Sequence, residues 1–188
     1  MVETNLMPPP QEATASPPAT PLGVAELREI GLFGAMSDEA LEILGRELKT
    51  RWIDPGTVVM REGENAREMF VVVQGEMEVL RRSRRGLEGR VAVLGPGTWL
   101  GEMSILDAQP RTATVRALRP TLLLTITAED LDRLYRRDMK SFLMLLLNVN
   151  RELSRRLRVA DGMVAGFLTA MWDDNLGFSR SQAPDDDQ

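Results

Sequence analysis

One stretch decides the fold: Gly101-Glu102-Met103-Ser104-Ile105-Leu106-Asp107-Ala108-Gln109-Pro110-Arg111-Thr112-Ala113-Thr114-Val115. A glycine that leads into a short helical turn over 102–106 exposes backbone N–H groups that have no acceptor within the helix. Such groups attract a phosphate, so Gly101, Met103 and Ser104 are predicted to contribute a backbone phosphate site. The stretch then continues through Pro110 into a predicted strand over 112–115.

Two charged side chains in this stretch have complementary chemistry. The guanidinium of Arg111 can hold two phosphate oxygens at once, whereas the carboxylate of Glu102 only accepts hydrogen bonds and suits a sugar hydroxyl. Thr112 adds a hydroxyl, and the small side chain of Ala113 leaves space for a ligand. The alternative is structural, because Glu102 and Arg111 can instead form an ion pair that closes a loop around a turning glycine.

Short β-prone runs surround the stretch, and each is bounded by turn residues such as those of 54–56, 63–65 and 95–97. Such evenly spaced runs favour an antiparallel sandwich or jelly roll. The predicted strands are Thr57 to Met60, Met69 to Val73, Met77 to Leu80, Val91 to Leu94, Thr112 to Val115 and Leu122 to Ile126.

Helices are predicted on both sides of the strands. Ser37 is a candidate N-cap for a short helix that precedes the strands. A helix over 128–135 and a long helix over 139–172 follow them. The long helix carries a near-heptad stripe that predicts self-association as a two-fold dimer; the alternative is that the stripe packs on the chain's own barrel. The stripe consists of Leu146, Val149, Leu153, Leu157, Ala160, Val164, Phe167 and Met171.

Four segments follow from this pattern. Residues 1–22 are predicted to be a disordered proline-rich leader, and 173–188 an acidic flexible tail. Between them lie a β-roll with flanking helices over 23–138 and the long C-terminal helix over 139–172. The predicted fold class is α+β: an antiparallel, jelly-roll-like β-roll with a short N-terminal helix and a long C-terminal helix.

The composition excludes many functions. The chain has no cysteine and no histidine, which removes the usual ligands of zinc, copper and haem and the commonest general base. A jelly-roll metalloenzyme is therefore disfavoured, and we expect no enzyme activity, no metal and no cofactor. The formal net charge is −5, and no apolar run is long enough to span a bilayer. We expect a cytoplasmic protein without membrane contact.

The deciding stretch resembles the phosphate-binding cassette of cyclic nucleotide-binding domains, through Gly101-Glu102 and Pro110-Arg111-Thr112-Ala113-Thr114-Val115. The resemblance extends over roughly 30–171, through Pro55-Gly56 and Val72-Val73-Gln74-Gly75-Glu76. Along the long helix, the chain is similar to the bacterial catabolite activators. It implies an eight-stranded β-roll, a cyclic phosphate held by Arg111 and backbone, and a ribose 2′-hydroxyl held by Glu102.

The resemblance implies a ligand-binding sensor whose ligand is cyclic AMP or cyclic GMP, with cyclic AMP preferred. Asp161 lies where the activators present a hydroxyl residue to the adenine, and it can accept from an exocyclic amino group; the alternative is a solvated helix residue. The chain stops where the activators' DNA-binding domain begins, so we expect none here, and output through a homodimer or an unknown protein effector. The competing hypothesis is a scaffold that kept the fold and lost its ligand.

Overall fold

The computed structural model describes residues 20–177, with side chains through Trp172. The helices are α1 (Val24–Arg28), α2 (Asp38–Glu47), α3 (Glu102–Leu106), α4 (Ala128–Arg137) and α5 (Met139–Gly177), with a 3-10 turn over Gly31–Phe33. The strands are β1 (Lys49–Ile53), β2 (Val58–Met60), β3 (Glu68–Gln74), β4 (Met77–Arg82), β5 (Glu88–Leu94), β6 (Trp99–Leu100), β7 (Thr114–Ala117) and β8 (Thr121–Thr127).

These strands form two antiparallel four-stranded sheets, in the orders β1-β8-β3-β6 and β2-β7-β4-β5. The predicted β-roll with helices at its two ends is therefore confirmed. Two strands, β1 and β6, were not predicted. The strand predicted over 112–115 begins at Thr114, because Thr112 and Ala113 belong to the turn that follows Arg111.

The run Met69-Phe70-Val71-Val72 is apolar throughout because β3 is buried on both faces. Met69 and Val71 belong to a core beneath the helices, whereas Phe70 and Val72 belong to a core between the two sheets. Since successive side chains of a strand point to opposite faces, one strand serves both cores. β3 also pairs with the two-residue strand β6 and thereby positions Gly101, which follows directly after it.

The helical layer is held together by apolar contacts and by one buried amide. Leu32 and Phe33 of the 3-10 turn pack in the same core as Leu145 and Val149 of α5. Asn148 donates from Nδ2 to the carbonyl oxygens of Leu32 and Gly34, each at 3.0 Å. The buried start of α5 therefore has a defined position against the β-roll.

α5 begins with a side-chain cap and contacts the body of the protein over about five turns, from Met139 to Arg156. Ser141 donates from its backbone N–H and its hydroxyl to the two carboxylate oxygens of Asp138, at 3.1 and 2.5 Å. Val149 is buried and Leu153 packs partly against the core, so this part of the predicted stripe faces the chain's own barrel. Beyond it, Leu157, Val164 and Phe167 are exposed.

The predicted ends of the ordered region need correction. Leu22 is buried, and the Thr50 hydroxyl donates to the carbonyl oxygen of Thr20, so the last three residues of the predicted leader are ordered. α5 continues to Gly177, five residues into the predicted tail. The remainder of both terminal segments, 1–19 and 178–188, lies outside the described residues. Within 20–177, no helix is long and apolar enough to cross a membrane.

Candidate functional site

Gly101 is the turning point of the predicted cassette. It caps the N-terminus of α3 with a φ of 85°, a conformation that side-chain-bearing residues rarely adopt. A Cβ at this position would collide with Nη1 of Arg111. Only glycine therefore lets Arg111 lie against the backbone here. Of the residues in the first turn of α3, Ser104 is buried and Met103 is exposed.

Arg111 is a buried cation without a carboxylate partner in the described part of the chain. Only 3% of its surface is exposed, and no carboxylate oxygen of residues 20–172 lies within ion-pair distance of it. Its Nη1 donates to the carbonyl oxygen of Gly101 at 2.9 Å, and its guanidinium lies 5.9 Å from the centre of the Phe70 ring. Burial lowers the pKa of Arg111, against the opposing effect of Glu68, Glu64 and Glu102.

Glu102 is equally buried, with 3% of its surface exposed, but it has a partner. Arg156 of α5 donates from Nη1 to its Oε1 at 3.1 Å. Burial raises the pKa of Glu102, and the guanidinium of Arg156 and the residue's own backbone N–H only partly offset that effect. The predicted alternative, an ion pair between Glu102 and Arg111, does not form; the two side chains are held by different partners near Gly101.

Arg156 is the functional residue that the sequence did not reveal. Besides Glu102, it donates from Nη2 to the carbonyl oxygen of Trp99 at 2.8 Å and from Nε to Glu152 at 2.8 Å. Arg155 donates twice to the same Glu152 carboxylate. The only local signal was the pair Arg155-Arg156 on the long helix, and nothing in its spacing from the cassette indicated a contact with Glu102.

The remaining predicted residues divide into two groups. Ala113 is buried beside Arg111, and Thr112 is exposed at the same turn, so both lie in the cassette. Asp161 is exposed on α5 and has no hydrogen bond or ion pair within 20–172. Because it is five residues beyond Arg156, it is turned by roughly 140° about the helix axis. It therefore points away from the face that contacts Glu102.

A groove of about 260 Å³ lies on α5 beside Arg156 and is lined by Glu152, Arg155, Arg156, Val159, Ala160 and Met163. Its lining combines apolar side chains with the charged side chains of Glu152, Arg155 and Arg156. A larger cleft of about 620 Å³ lies on the outer face of the second sheet, around Leu80, Thr114 and Arg116, and contains none of the predicted site residues. Two cavities border the contact between Glu102 and Arg156: this groove, which Arg156 lines, and a cavity of about 10 Å³ that Glu102 lines together with Met69 and Leu145.

Known proteins match this chain both in sequence and in structure. The sequence profile of the cyclic nucleotide-binding domain matches residues 50–138. The cyclic AMP receptor protein of Thermus thermophilus is 32% identical over 130 residues, which make up 69% of this chain. The crystal structure of the catabolite activator protein from Thermus thermophilus superimposes with a TM-score of 0.65 at 30% identity, over 74% of this chain and 63% of that one.

A third relative matches over nearly its whole length. The N-terminal domain of a transcriptional regulator from Streptomyces coelicolor has a TM-score of 0.62 and is 31% identical, and the match covers 72% of this chain and 94% of that domain. Against curated full-length relatives the coverage is smaller: the chain spans 58% of the Thermus receptor protein and 62% of a cAMP-activated regulator from Mycobacterium tuberculosis. The similarity therefore extends over only part of these full-length relatives.

Proposed function

We propose that this chain, which belongs to the cyclic nucleotide-binding domain family, is a sensor that binds cyclic AMP in preference to cyclic GMP and passes the binding event to α5. Family membership establishes a regulatory domain of the cyclic nucleotide-binding type. The preferred nucleotide, the residues that hold it and the route of output are the content of the proposal.

The observation that supports the proposal most is that Arg111 is buried without a carboxylate partner among the described residues. A buried cation without an anionic partner is costly, and a buried pair becomes favourable only when its geometry and hydrogen bonds are good. Nη1 already contacts the carbonyl oxygen of Gly101, and other donors of the guanidinium remain for a ligand. A cyclic phosphate supplies the missing negative charge and accepts two of these donors at once.

The neighbouring groups suit the rest of a nucleotide. Glu102 accepts hydrogen bonds and faces the helix that carries Arg156, so we assign it to the ribose 2′-hydroxyl. The backbone N–H groups of Met103 and Ser104 lie in the first turn of α3, where no intrahelical acceptor exists, and we assign them to the phosphate. Thr112 adds a hydroxyl, and Ala113 leaves space beside Arg111.

The cavity that Glu102 itself lines measures only about 10 Å³, so we take the groove beside Arg156 as the candidate site for the base. Its walls are Val159, Ala160 and Met163, which offer apolar contact and no side-chain hydrogen bond. We assign base binding to this groove rather than to Asp161, which points away from it. The preference for cyclic AMP rests on the relatives that are named for it, namely the Thermus receptor protein and the Mycobacterium regulator.

The output acts through α5. A ribose that binds Glu102 competes with, or reorganises, the contact from Arg156, and so changes how the exposed half of α5 is held. We propose that α5 acts on a second copy of this chain or on a protein effector, that the chain catalyses no reaction and needs no cofactor, and that it works in the cytoplasm.

Calorimetric titration of the purified chain with cyclic AMP and cyclic GMP tests the proposal. Binding of cyclic AMP with one site per chain, tighter than binding of cyclic GMP, is the expected result. If neither nucleotide binds, the sensor function is wrong and the ligand-free scaffold takes its place. If cyclic GMP binds more tightly, the sensor stands and the assignment of the base is wrong.

A further inference from the structure

The hairpin between β4 and β5 contains the most basic ten-residue stretch of the chain. Residues 81–90, here called the basic hairpin, include five arginines and one glutamate, so their formal charge is +4 in a chain whose total is −5. All ten residues are exposed. The arginines are Arg81, Arg82, Arg84, Arg85 and Arg90. A concentrated positive charge therefore lies on an otherwise acidic protein.

Most of this positive charge is not neutralised within the described part of the chain. Arg90 lies 3.7 Å from the buried carboxylate of Glu78. The other four arginines have no carboxylate oxygen within ion-pair distance among residues 20–172, and Glu88 forms no ion pair there either. Because guanidinium groups hold carboxylates and phosphates well, four exposed cations remain for an anion outside these residues.

Hydrogen bonds fix the turn that carries these cations. The N–H of Ser83 donates to the carbonyl oxygen of Leu87 at 2.8 Å, and the N–H of Gly86 donates to the carbonyl oxygen of Ser83 at 2.9 Å. The N–H of Leu87 donates to the hydroxyl of Ser83 at 3.1 Å. The turn therefore presents Arg84 and Arg85 at the tip of the hairpin on a defined backbone.

Leu87 adds an apolar side chain to the same tip. It is 72% exposed, which is the largest exposed fraction among the large apolar side chains of the described residues. A single exposed leucine needs no explanation by itself. Here, however, it stands beside unpaired arginines. Clustered basic residues and an exposed apolar group are the two signals that together bind a protein to the surface of a charged bilayer.

We propose that the basic hairpin binds the surface of an anionic lipid bilayer. The arginines contact the headgroups, and Leu87 enters the boundary between the headgroups and the acyl chains. The rest of the chain carries a formal charge of −9 against the +4 of the hairpin, so the protein binds with this tip towards the bilayer. A lipid surface fits better than a nucleic acid, because residues 81–90 include no aromatic side chain that could stack on a base.

This contact lies at the bilayer surface, and it replaces the sequence-based expectation of no membrane contact. That expectation was drawn from the lack of a spanning segment, and no helix within 20–177 could span a bilayer. A surface contact requires no such segment. The basic hairpin is also separate from the cassette, because residues 81–90 do not line the groove beside Arg156 and form no hydrogen bond with Glu102 or Arg111. The inference therefore does not depend on nucleotide binding.

Cosedimentation of the purified full chain with lipid vesicles tests the proposal. Wild type should bind vesicles of phosphatidylserine and phosphatidylcholine in roughly equal amounts, and should not bind vesicles of phosphatidylcholine alone. Each basic side chain near such a surface changes the affinity about fivefold, so Arg84→Ala combined with Arg85→Ala should weaken binding about 25-fold. Arg46→Ala combined with Arg136→Ala is the matched control, because it removes two exposed arginines outside the hairpin, and it should bind like wild type.

Leu87→Ser tests the apolar contribution separately and should weaken binding about tenfold, because the burial of the leucine is lost. Binding as tight as that of wild type would show that Leu87 does not enter the bilayer. The proposal is wrong if wild type fails to bind the phosphatidylserine vesicles, binds both kinds of vesicle equally, or loses as much affinity in the control as in the hairpin variant. Binding of a DNA duplex or of polyglutamate in place of the vesicles would assign the basic hairpin to that class of partner instead.

Discussion

Glu102 and Arg156 are 54 residues apart in the sequence, and their side chains meet at 3.1 Å between Oε1 and Nη1. This contact joins the cassette, which follows β6, to the long helix α5. Arg156 also donates to Glu152 of its own helix and to the carbonyl oxygen of Trp99 in β6. A ligand that engages Glu102 is thereby connected to α5 through one guanidinium.

We predict that Arg156→Ala uncouples the cassette from α5. The variant leaves Glu102 buried without its cation and should lower the free energy of unfolding by about 1 to 3 kcal/mol. Cyclic AMP should change amide hydrogen exchange over 151–163 in wild type and leave it unchanged in the variant. Arg158→Ala is the matched control, because Arg158 is an exposed arginine of the same helix that does not line the groove. An equal nucleotide effect in Arg156→Ala and wild type would refute the coupling.

Gly101→Ala should disrupt the cassette in two ways, through the backbone conformation of residue 101 and through a collision with Arg111. The positive φ alone costs an alanine about 1 to 2 kcal/mol. In addition, the new Cβ would displace the guanidinium of Arg111. Gly97→Ala is the control, since Gly97 has a φ of 80° and open space around its Cα. Calorimetry should show that Gly101→Ala loses nucleotide affinity while Gly97→Ala retains it; equal affinities would mean that the position of Arg111 does not matter.

The raised pKa of Glu102 predicts a pH effect on stability. A carboxyl group whose pKa is higher in the folded state stabilises the fold below its ordinary pKa, and this contribution is lost as the pH rises through the folded-state pKa. Between those values, the unfolding free energy of wild type should fall relative to that of Glu102→Gln, which does not titrate. Denaturant unfolding at several pH values measures this difference, and parallel curves would contradict the burial of an ionisable Glu102.

The contribution of Asp138 to the unfolding free energy should change with pH in the opposite direction to that of Glu102. Hydrogen bonds from Ser141 lower the pKa of Asp138, so its contribution is present above the ordinary carboxyl pKa and is lost as the pH falls through the lowered value. Removing the cap by Asp138→Ala should cost ~1 kcal/mol near neutral pH. In acid the two proteins should converge in stability. A constant difference at all pH values would show that the cap does not depend on the charge of Asp138.

The cassette could be predicted from the sequence because its chemistry is local. Gly101, Glu102 and Arg111 lie within eleven residues, and the turning glycine and the short helix after it follow from that local sequence, whereas the burial of the two charged side chains does not. The long apolar strands β3 and β8 were found for a similar reason, since their composition alone indicates burial. β1 was missed because the sequence Lys49-Thr50-Arg51-Trp52-Ile53 mixes charged, polar and bulky apolar side chains. It becomes a strand only by pairing with β8.

Long-range packing explains the other misses. β6 has two residues and is defined by its bonds to β3, so no periodicity can reveal it. The first part of the predicted heptad stripe, with Val149 and Leu153, packs against the β-roll, because the sequence of α5 contains two apolar stripes. Leu145 and Val149 pack against the β-roll, and Leu143 and Leu147 face solvent. Only the position of the barrel shows which of the two apolar stripes is buried. The contact of Arg156 with Glu102 also depends on that position, so the sequence did not reveal it.

The affinity of Arg111→Ala for cyclic AMP, measured by calorimetry against wild type, tests the central claim most directly. Truncating one side of a buried Arg and phosphate contact costs about 2 to 5 kcal/mol, so the account predicts a loss of affinity of about 30-fold or more. Arg84→Ala, at an exposed hairpin position, should bind like wild type. If Arg111→Ala binds cyclic AMP as tightly as wild type, Arg111 is not the phosphate site and the account is wrong.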